Sequence, residues 1–467
     1  MLQIDKQAGG PYYVQIYEYF RCEIEQGRLT AGVRLPSVRE LAERIQVSKM
    51  TVEKAYRQLA AEGYILRHHK ARYEVTYLER AVSHKLTVVN PGQAQWQKKT
   101  YLYDFGSGDM DMEGFPLGLW RKYMNRVLAD PVYLAACDDE QGVPALRAAL
   151  SKYIYETRGV QARPEHIVIA AGTTALLRIL TTILKAEYSE IAVENPGFRL
   201  GREVFRSAGY TIFPVSVERG ILDIDALQHS RAQVLYISPS HQFPTGAVMM
   251  ADVRHRLIAW IKERKGIIIE DDYDSELRYY GRPVPALQGL DGGEHVVYMG
   301  SLSKILPFFV RVSYMVLPAR LWRVYQEHIS LFRQGASVPE QCVLATYIST
   351  GELNRQVRRL RKSYQVKGNQ LEGLLRRAFG DAVHVRPVVS GVYCHVHIRS
   401  SRSTRELVEA AAQQGCRVLP VQLFYETPAV EDKREFLLSF TKIPASRLFD
   451  AVQALYQAWN ERGNNHV

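Results

Sequence analysis

Cysteine is scarce and scattered. The 467 residues contain five, at Cys22, Cys137, Cys342, Cys394 and Cys416, with no C-x-x-C pair among them. That pattern gives no basis for a disulfide framework or a thiolate zinc site, so no metal is expected, and it fits a reducing compartment. Long apolar runs are also missing. None approaches the roughly 18–20 residues of a membrane helix, and the opening MLQIDKQAGGPYY has no basic stretch leading into an apolar one. The expected setting is therefore the cytoplasm, without a membrane partner. Internal repeats and dominant low-complexity tracts are absent too. What is present is a composition 46% hydrophobic and 23% charged, enough for a large core and more than one domain. Lysine and arginine number 60 against 49 acidic residues, a formal net charge of +11. This leaves a polyanionic partner open without requiring one.

The first 78 residues read as three helices and a hairpin. YYVQIYEYFRCEIEQGRL places Val14, Ile16, Tyr17, Phe20 and Ile24 near helical spacing and stops at Gly27. Ser37 followed by Glu40 forms a capping box, and Leu41, Ala42 and Ile45 face inward from the helix it opens. Ser48 can cap a third helix carrying Val52, Ala55, Tyr56 and Leu59. Two capped helices around the short turn QVS make a helix-turn-helix, and YILRHHKARYEVTYL alternates like a basic wing. Such a unit reads bases with the start of its second helix and neutralises phosphates from its wing. Arg39, Ser48, Lys49, Thr51, His69 and Lys70 are the candidate contacts with double-stranded operator DNA.

Residues 79–103 lack a sustained period and read as a linker. From residue 104 to 467, apolar runs (HIVIAAG, EIAVENPGF, QVLYISPSH, KGIIIEDDYD, HVVYMGSLSK) alternate with amphipathic stretches, as in a parallel sheet covered by helices. The runs SGVYCHVHI, GCRVLP and REFLLSFTKI suggest a terminal mixed α+β subdomain. Open α/β sheets bind ligands at the carboxyl ends of their strands, so the residues delivered there matter most. These are Asp271 and Tyr273, Ser240, His241 and Gln242, Ser301, Ser303 and Lys304, and a turn at Gly172, Thr173 and Thr174 suited to a phosphate. Phe198 offers a stacking ring, and an arginine would pair with a phosphate as a planar fork. Taken singly, Asp271 reads as a strand-end cap, Lys304 as a surface lysine and Phe198 as core. Jointly they are the parts that pyridoxal 5′-phosphate (PLP) needs: a lysine for its aldehyde, a carboxylate for its ring nitrogen and a phenol for its ring oxygen.

The stretch LPSVRELAERIQVSKMTVEKAYRQLAAEGYI resembles the winged helix of the GntR regulators, and the resemblance assigns DNA contacts to Arg39, Lys49 and Thr51. Glu53, His69 and Ala71 depart from that pattern. From residue 104 onward, ENPGF, SPSHQFPTG, IIIEDDYDSELRYYGRPVPALQGLD and GSLSK resemble the class I aminotransferases of PLP fold type I. The whole chain is similar to the MocR/GabR subfamily. The implied fold is thus multidomain, a mostly helical winged helix-turn-helix followed by an α/β fold type I domain. By the same resemblance Lys304, Asp271 and Tyr273 are the catalytic set. Phe198, Gly172, Thr173, Thr174, His241, Ser301, Ser303 and Arg311 complete the cofactor set, and a homodimer is implied. Leu437 stands where aminotransferases hold the substrate α-carboxylate with an arginine; the candidate substitutes are the nearby Arg434 or another arginine such as Arg199 or Arg202. The expected function is a PLP-dependent transcriptional regulator sensing a small amino compound, such as an amino acid or D-alanyl-D-alanine, or PLP itself. The alternative is a working aminotransferase with an appended DNA-binding domain.

Overall fold

A computed structural model describes residue 4 and residues 10–67, 72–76, 101–135, 139–218, 220–281, 284–426 and 432–460. The chain divides into two compact units, residues 1–98 and 99–467. Most of the expected linker, and with it wing residues His69 and Lys70, lie outside the described residues.

In the first unit, α1 (Tyr12–Glu25), α2 (Val38–Ile45) and α3 (Lys49–Ala61) precede a hairpin of β1 (Ile65–Arg67) and β2 (Tyr73–Val75). The capping box is complete: the Glu40 amide donates to Ser37 Oγ at 3.2 Å, and the Ser37 amide to Glu40 Oε2 at 3.4 Å. Helix α2 ends at Gln46, whose φ of 55° turns the chain toward α3. The Thr51 amide then donates to Ser48 Oγ at 3.1 Å, which starts α3. Ile16, Leu41, Val52, Tyr56, Leu59 and Ile65 form a single buried core beneath these elements.

The second unit opens with β3 (Tyr103–Asp104) and is organised by an eight-stranded sheet. In chain order its strands are β4 (Ile167–Ala170), β5 (Glu190–Asn195), β6 (Thr211–Glu218), β7 (Ile221–Leu222), β8 (Val234–Ile237), β9 (Ile267–Asp272), β10 (Val296–Ser301) and β11 (Ser313–Val316). Their spatial order is β4, β11, β10, β9, β8, β5, β6, β7. The strands from β10 to β6 pair in parallel, and β11 runs against both its neighbours. Alternation along each strand assigns the two faces. Ile267, Ile269, Val297 and Met299 pack under the helices Thr173–Leu184 and Arg199–Ser207, while Ile268 and Val296 pack under the helix Ala251–Arg264.

A smaller antiparallel sheet completes the unit. It orders β12 (Val383–Val385), β13 (Tyr393–Ile398), β16 (Glu435–Ser439) and β15 (Leu419–Pro420). A further strand, β14 (Cys416–Arg417), pairs in parallel with β3. Among the described residues, no helix is long and apolar enough to cross a membrane. Ser37→Ala is expected to destabilise α2 by about 1 kcal/mol through loss of its cap. Hydrogen exchange on residues 38–45 of the full chain measures this, and unchanged exchange would refute the role given to Ser37.

Candidate functional site

The site is built where parallel strands end. Met299 pairs with Asp271 and Gly300 with Asp272, so the ends of β9 and β10 lie level. Residues immediately beyond them, Tyr273 on one side and Ser303 and Lys304 on the other, share one cavity of about 210 Å³ with Asp271 and Ser301. Thr173, the first residue of the helix after β4, and Phe198, at the start of the helix after β5, line it as well. Gly172 has a φ of +94°, and a Cβ there would come within 2.7 Å of Arg311 Nη2. Glycine therefore lets the guanidinium lie against the helix start, where backbone N–H groups are free. A larger cleft of about 800 Å³, by Arg163, His166 and Trp322, adjoins the start of β4 and the end of β11 and holds none of the expected residues.

Asp271 follows Ile267 and Ile269 on the face covered by the helix Thr173–Leu184. It is 5% exposed, and the Tyr236 hydroxyl donates to its Oδ2. Burial pushes its pKa up to about 7 against the help of Tyr236, and the charges of Asp272 and Asp274 add to the rise. Lys304 Nζ donates to the Gly108 carbonyl at 2.9 Å and sits 5.8 Å from the Tyr393 ring centre. Burial lowers its pKa; Asp274 and Asp109 oppose that, and Lys442 reinforces it. A side chain at Gly108 would collide with Tyr393 and crowd Lys304 Nζ, which explains the glycine. Tyr273 Oη lies 3.1 Å from His241 Nδ1, and that nitrogen is held by Asp274 at 2.8 Å. Burial lowers the His241 pKa, but its pairing with Asp274 outweighs this and the net shift is upward.

The structure thus brings Thr173, Phe198, Asp271, Tyr273, Ser301, Ser303 and Lys304 to one cavity. Gly172 and Arg311 meet beside it, Thr174 is one residue further into the helix, and His241 stands behind Tyr273 rather than in the lining. Ser238, Phe243 and Tyr393 complete the wall and were missed from sequence, as were Tyr236 and Asp274. Tyr236 left a signal, a phenol inside an aliphatic strand next to β9; Tyr393 left none, because it arrives from the smaller sheet. Leu437 is 2% exposed and packs with Val421, Phe424, Phe243 and Tyr393. Arg202 is bound by Glu426 at 2.6 Å and by the carbonyls of Phe424 and Tyr425, and Arg434 donates to the Arg402 carbonyl at 2.8 Å. Arg199 is exposed. The arrangement suits a flat, phosphorylated, cationic ring that reacts with an amine.

In the first unit, Arg39 and Lys49 are exposed near the starts of α2 and α3. Ser48 and Thr51 are joined by their hydroxyls at 2.8 Å, so both help to fix the start of α3. Lys54 Nζ lies 3.8 Å over the Tyr13 ring, and Glu53 pairs with Arg57 at 2.9 Å.

Residues 12–75 match the model of the bacterial regulatory proteins of the gntR family, and residues 101–436 match aminotransferase class I and II. The chain is 35% identical to the uncharacterized HTH-type transcriptional regulator YhdI of Bacillus subtilis, covering 98% of this chain and 97% of that one. It is 30% identical to the probable rhizopine catabolism regulatory protein MocR of Rhizobium meliloti, covering 98% and 96%. Among solved structures, the α-aminoadipate aminotransferase LysN of Thermus thermophilus, complexed with N-(5′-phosphopyridoxyl)-L-leucine, shares the fold of the second unit. Its TM-score is 0.69 at 23% identity, covering 77% of this chain and 92% of that one.

The raised Asp271 pKa has a sign that can be tested. The folded chain keeps a proton that the unfolded chain releases above its ordinary value of 3.8, so stability falls as pH rises from there to about 7. In ligand-free protein, Asp271→Asn should gain roughly 2–4 kcal/mol relative to the parent between pH 4 and pH 8. Urea denaturation at both pH values checks this, and a pH-independent difference would contradict it.

Proposed function

Because the chain belongs to the MocR/GabR subfamily of GntR-family regulators, a winged helix-turn-helix fused to a class I/II aminotransferase domain of fold type I, we propose that it regulates transcription in response to a small ligand read at Lys304. The ligand is an amino compound or PLP itself, and the setting is the cytoplasm. The observation that carries this reading is the joint placement of Lys304, Asp271, Ser301, Ser303 and Thr173 around one cavity.

The residues fit PLP. Asp271 is a buried carboxylate whose one side-chain hydrogen-bond partner among the described residues is a hydroxyl, so a protonated ring nitrogen is its natural counter-charge. Thr173, Ser301, Ser303 and Arg311 would hold the phosphate at the uncapped helix start. Phe198 would stack on the ring, and Tyr273, positioned by His241 and Asp274, would meet its hydroxyl. Lys304, with its amine pKa lowered by burial, would anchor the aldehyde. PLP, when bound, supplies an electron-withdrawing aldehyde that reacts with primary amines.

In the first unit, α3 enters the major groove, with Arg39, Lys49 and Thr51 as contacts and Ser48 fixing the helix start. A homodimer presents two such units to half-sites roughly 34 Å or a multiple of it apart. The effector must bind one arrangement of the dimer better than the other, since equal affinity shifts nothing.

The full chain loaded with PLP is titrated with candidate amino compounds while absorbance and operator binding are followed together. A paired change without release of a carbonyl product (aldehyde, ketone or oxoacid) supports the regulator. Stoichiometric carbonyl product with unaltered DNA affinity favours the aminotransferase reading. Lys304→Ala is expected to abolish the borohydride-fixed adduct, and an adduct that persists refutes the anchor. Arg39→Ala should weaken operator binding by on the order of 1–3 kcal/mol if it reads a base edge. A change in salt slope alone would make it a phosphate contact.

A further inference from the structure

The shell around Lys304 Nζ says what kind of amine it can receive. Among the described residues that line the cavity, Lys304 is the one cation. Close to its amine lie the Gly108 carbonyl and the Tyr393 ring. Behind Tyr393 stands Phe243, 6.1 Å away between ring centres, which in turn meets Phe424 edge-on at 4.7 Å. Leu437 closes the same apolar cluster at 2% exposure.

Four described cations further out have partners. Arg202 is held by Glu426 and two carbonyls, and Arg434 by the Arg402 carbonyl. Lys442 lies 2.7 Å from Asp109, and Arg417 lies 3.5 Å from Asp104. A carboxylate brought next to Lys304 on the side of Tyr393 and Phe243 would lose its water against aromatic rings, with no guanidinium fork among the described lining residues to replace the lost hydration. An uncharged hydrocarbon in the same place meets a matching surface.

We propose that the amine sensed at Lys304 bears no carboxylate on its amine-bearing carbon, and that the rings of Phe243 and Tyr393, backed by the buried Leu437, select an apolar substituent there. This rests on the reading of Lys304 as the PLP anchor. Selectivity comes from two sources: the aromatic wall favours hydrocarbon, and the absence of a second cation beside Lys304 among the described lining residues penalises the carboxylate.

Matched pairs test it. Full-length protein loaded with PLP is titrated with phenethylamine against L-phenylalanine, and with propylamine against L-2-aminobutyrate. Calorimetry and cofactor absorbance are the readouts. Each amine should bind at least tenfold more tightly than its amino acid. Leu437→Arg should shrink or reverse that ratio. Because an arginine at so buried a position can impair folding, Phe243→Asn serves as a second variant and should weaken phenethylamine at least fivefold. Equal binding within the pairs, tighter binding of the amino acids, or no response to any amine overturns the proposal. Failure of the parent protein to form a borohydride-fixed adduct at Lys304 overturns instead the cofactor reading beneath it.

Discussion

The buried ion pair between Arg158 and Asp272 is the constraint on which the candidate site depends. Arg158 Nε lies 2.7 Å from Asp272 Oδ2, with the two side chains 5% and 2% exposed. The same carboxylate oxygen accepts the Tyr298 hydroxyl at 2.8 Å, while the guanidinium also donates to Ser240 Oγ and the Val284 carbonyl. Burial works against the arginine's charge, but the pull of Asp272 prevails and the Arg158 pKa rises. The end of the helix Pro144–Arg158, the end of β9, the middle of β10 at Tyr298, and the loop leading to His241 are thereby tied at one point. Breaking such a pair from one side leaves an uncompensated buried charge, a cost of roughly 3–5 kcal/mol. Asp272 faces away from Asp271, so the pair clamps the strand end from the side opposite the cavity. That leaves Asp271 free to turn its carboxylate to Tyr236 and the cavity.

The same alternation decides what could be read without coordinates. Asp271, Tyr273, Ser301 and Lys304 follow apolar runs of strand length, and a parallel sheet delivers the ends of such runs to one edge whatever its strand order. Thr173 and Phe198 were legible for a related reason, since each begins a helix directly after a strand. Ser37 with Glu40, and Ser48, carried their helix starts in local sequence. The rest of the wall follows different rules. Tyr393 comes from the smaller sheet, and its place beside Gly108 depends on how that sheet folds back. Phe243 lies at a loop where the sequence offers an aromatic ring but no direction for it. The pairing of Asp274 with His241 joins residues 33 positions apart, and spacing says nothing about it.

Leu437 shows the other limit. Sequence marks it as a departure at one position, while the structure shows that the surroundings agree with the change. Phe424, Val421 and Phe243 pack on it, and Arg202 is drawn into an ion pair with Glu426 at the opposite flank of the loop at Phe424 and Tyr425. An arginine lost in isolation would leave a hole or a stranded partner. A filled apolar cluster with neighbouring charges neutralised is a consistent local solution.

That consistency bears on how a ligand-reading domain differs from one built for turnover. Orientation of the substrate against the reacting centre supplies a large part of an enzyme's rate, and a bidentate clamp is an efficient way to fix it. A cavity that holds an amine by apolar contact leaves more rotational freedom about the bond to be broken, so binding and rapid reaction separate. A regulator benefits from that separation. Its signal is the free-energy difference between ligand-bound arrangements of the protein, and that difference lasts only while the ligand stays in place. In the proposed reading, Asp271, Tyr273 and Lys304 would recognise the ring and the amine, and the aromatic wall of Tyr393 and Phe243, backed by Leu437, would permit occupancy without the alignment that would end it quickly.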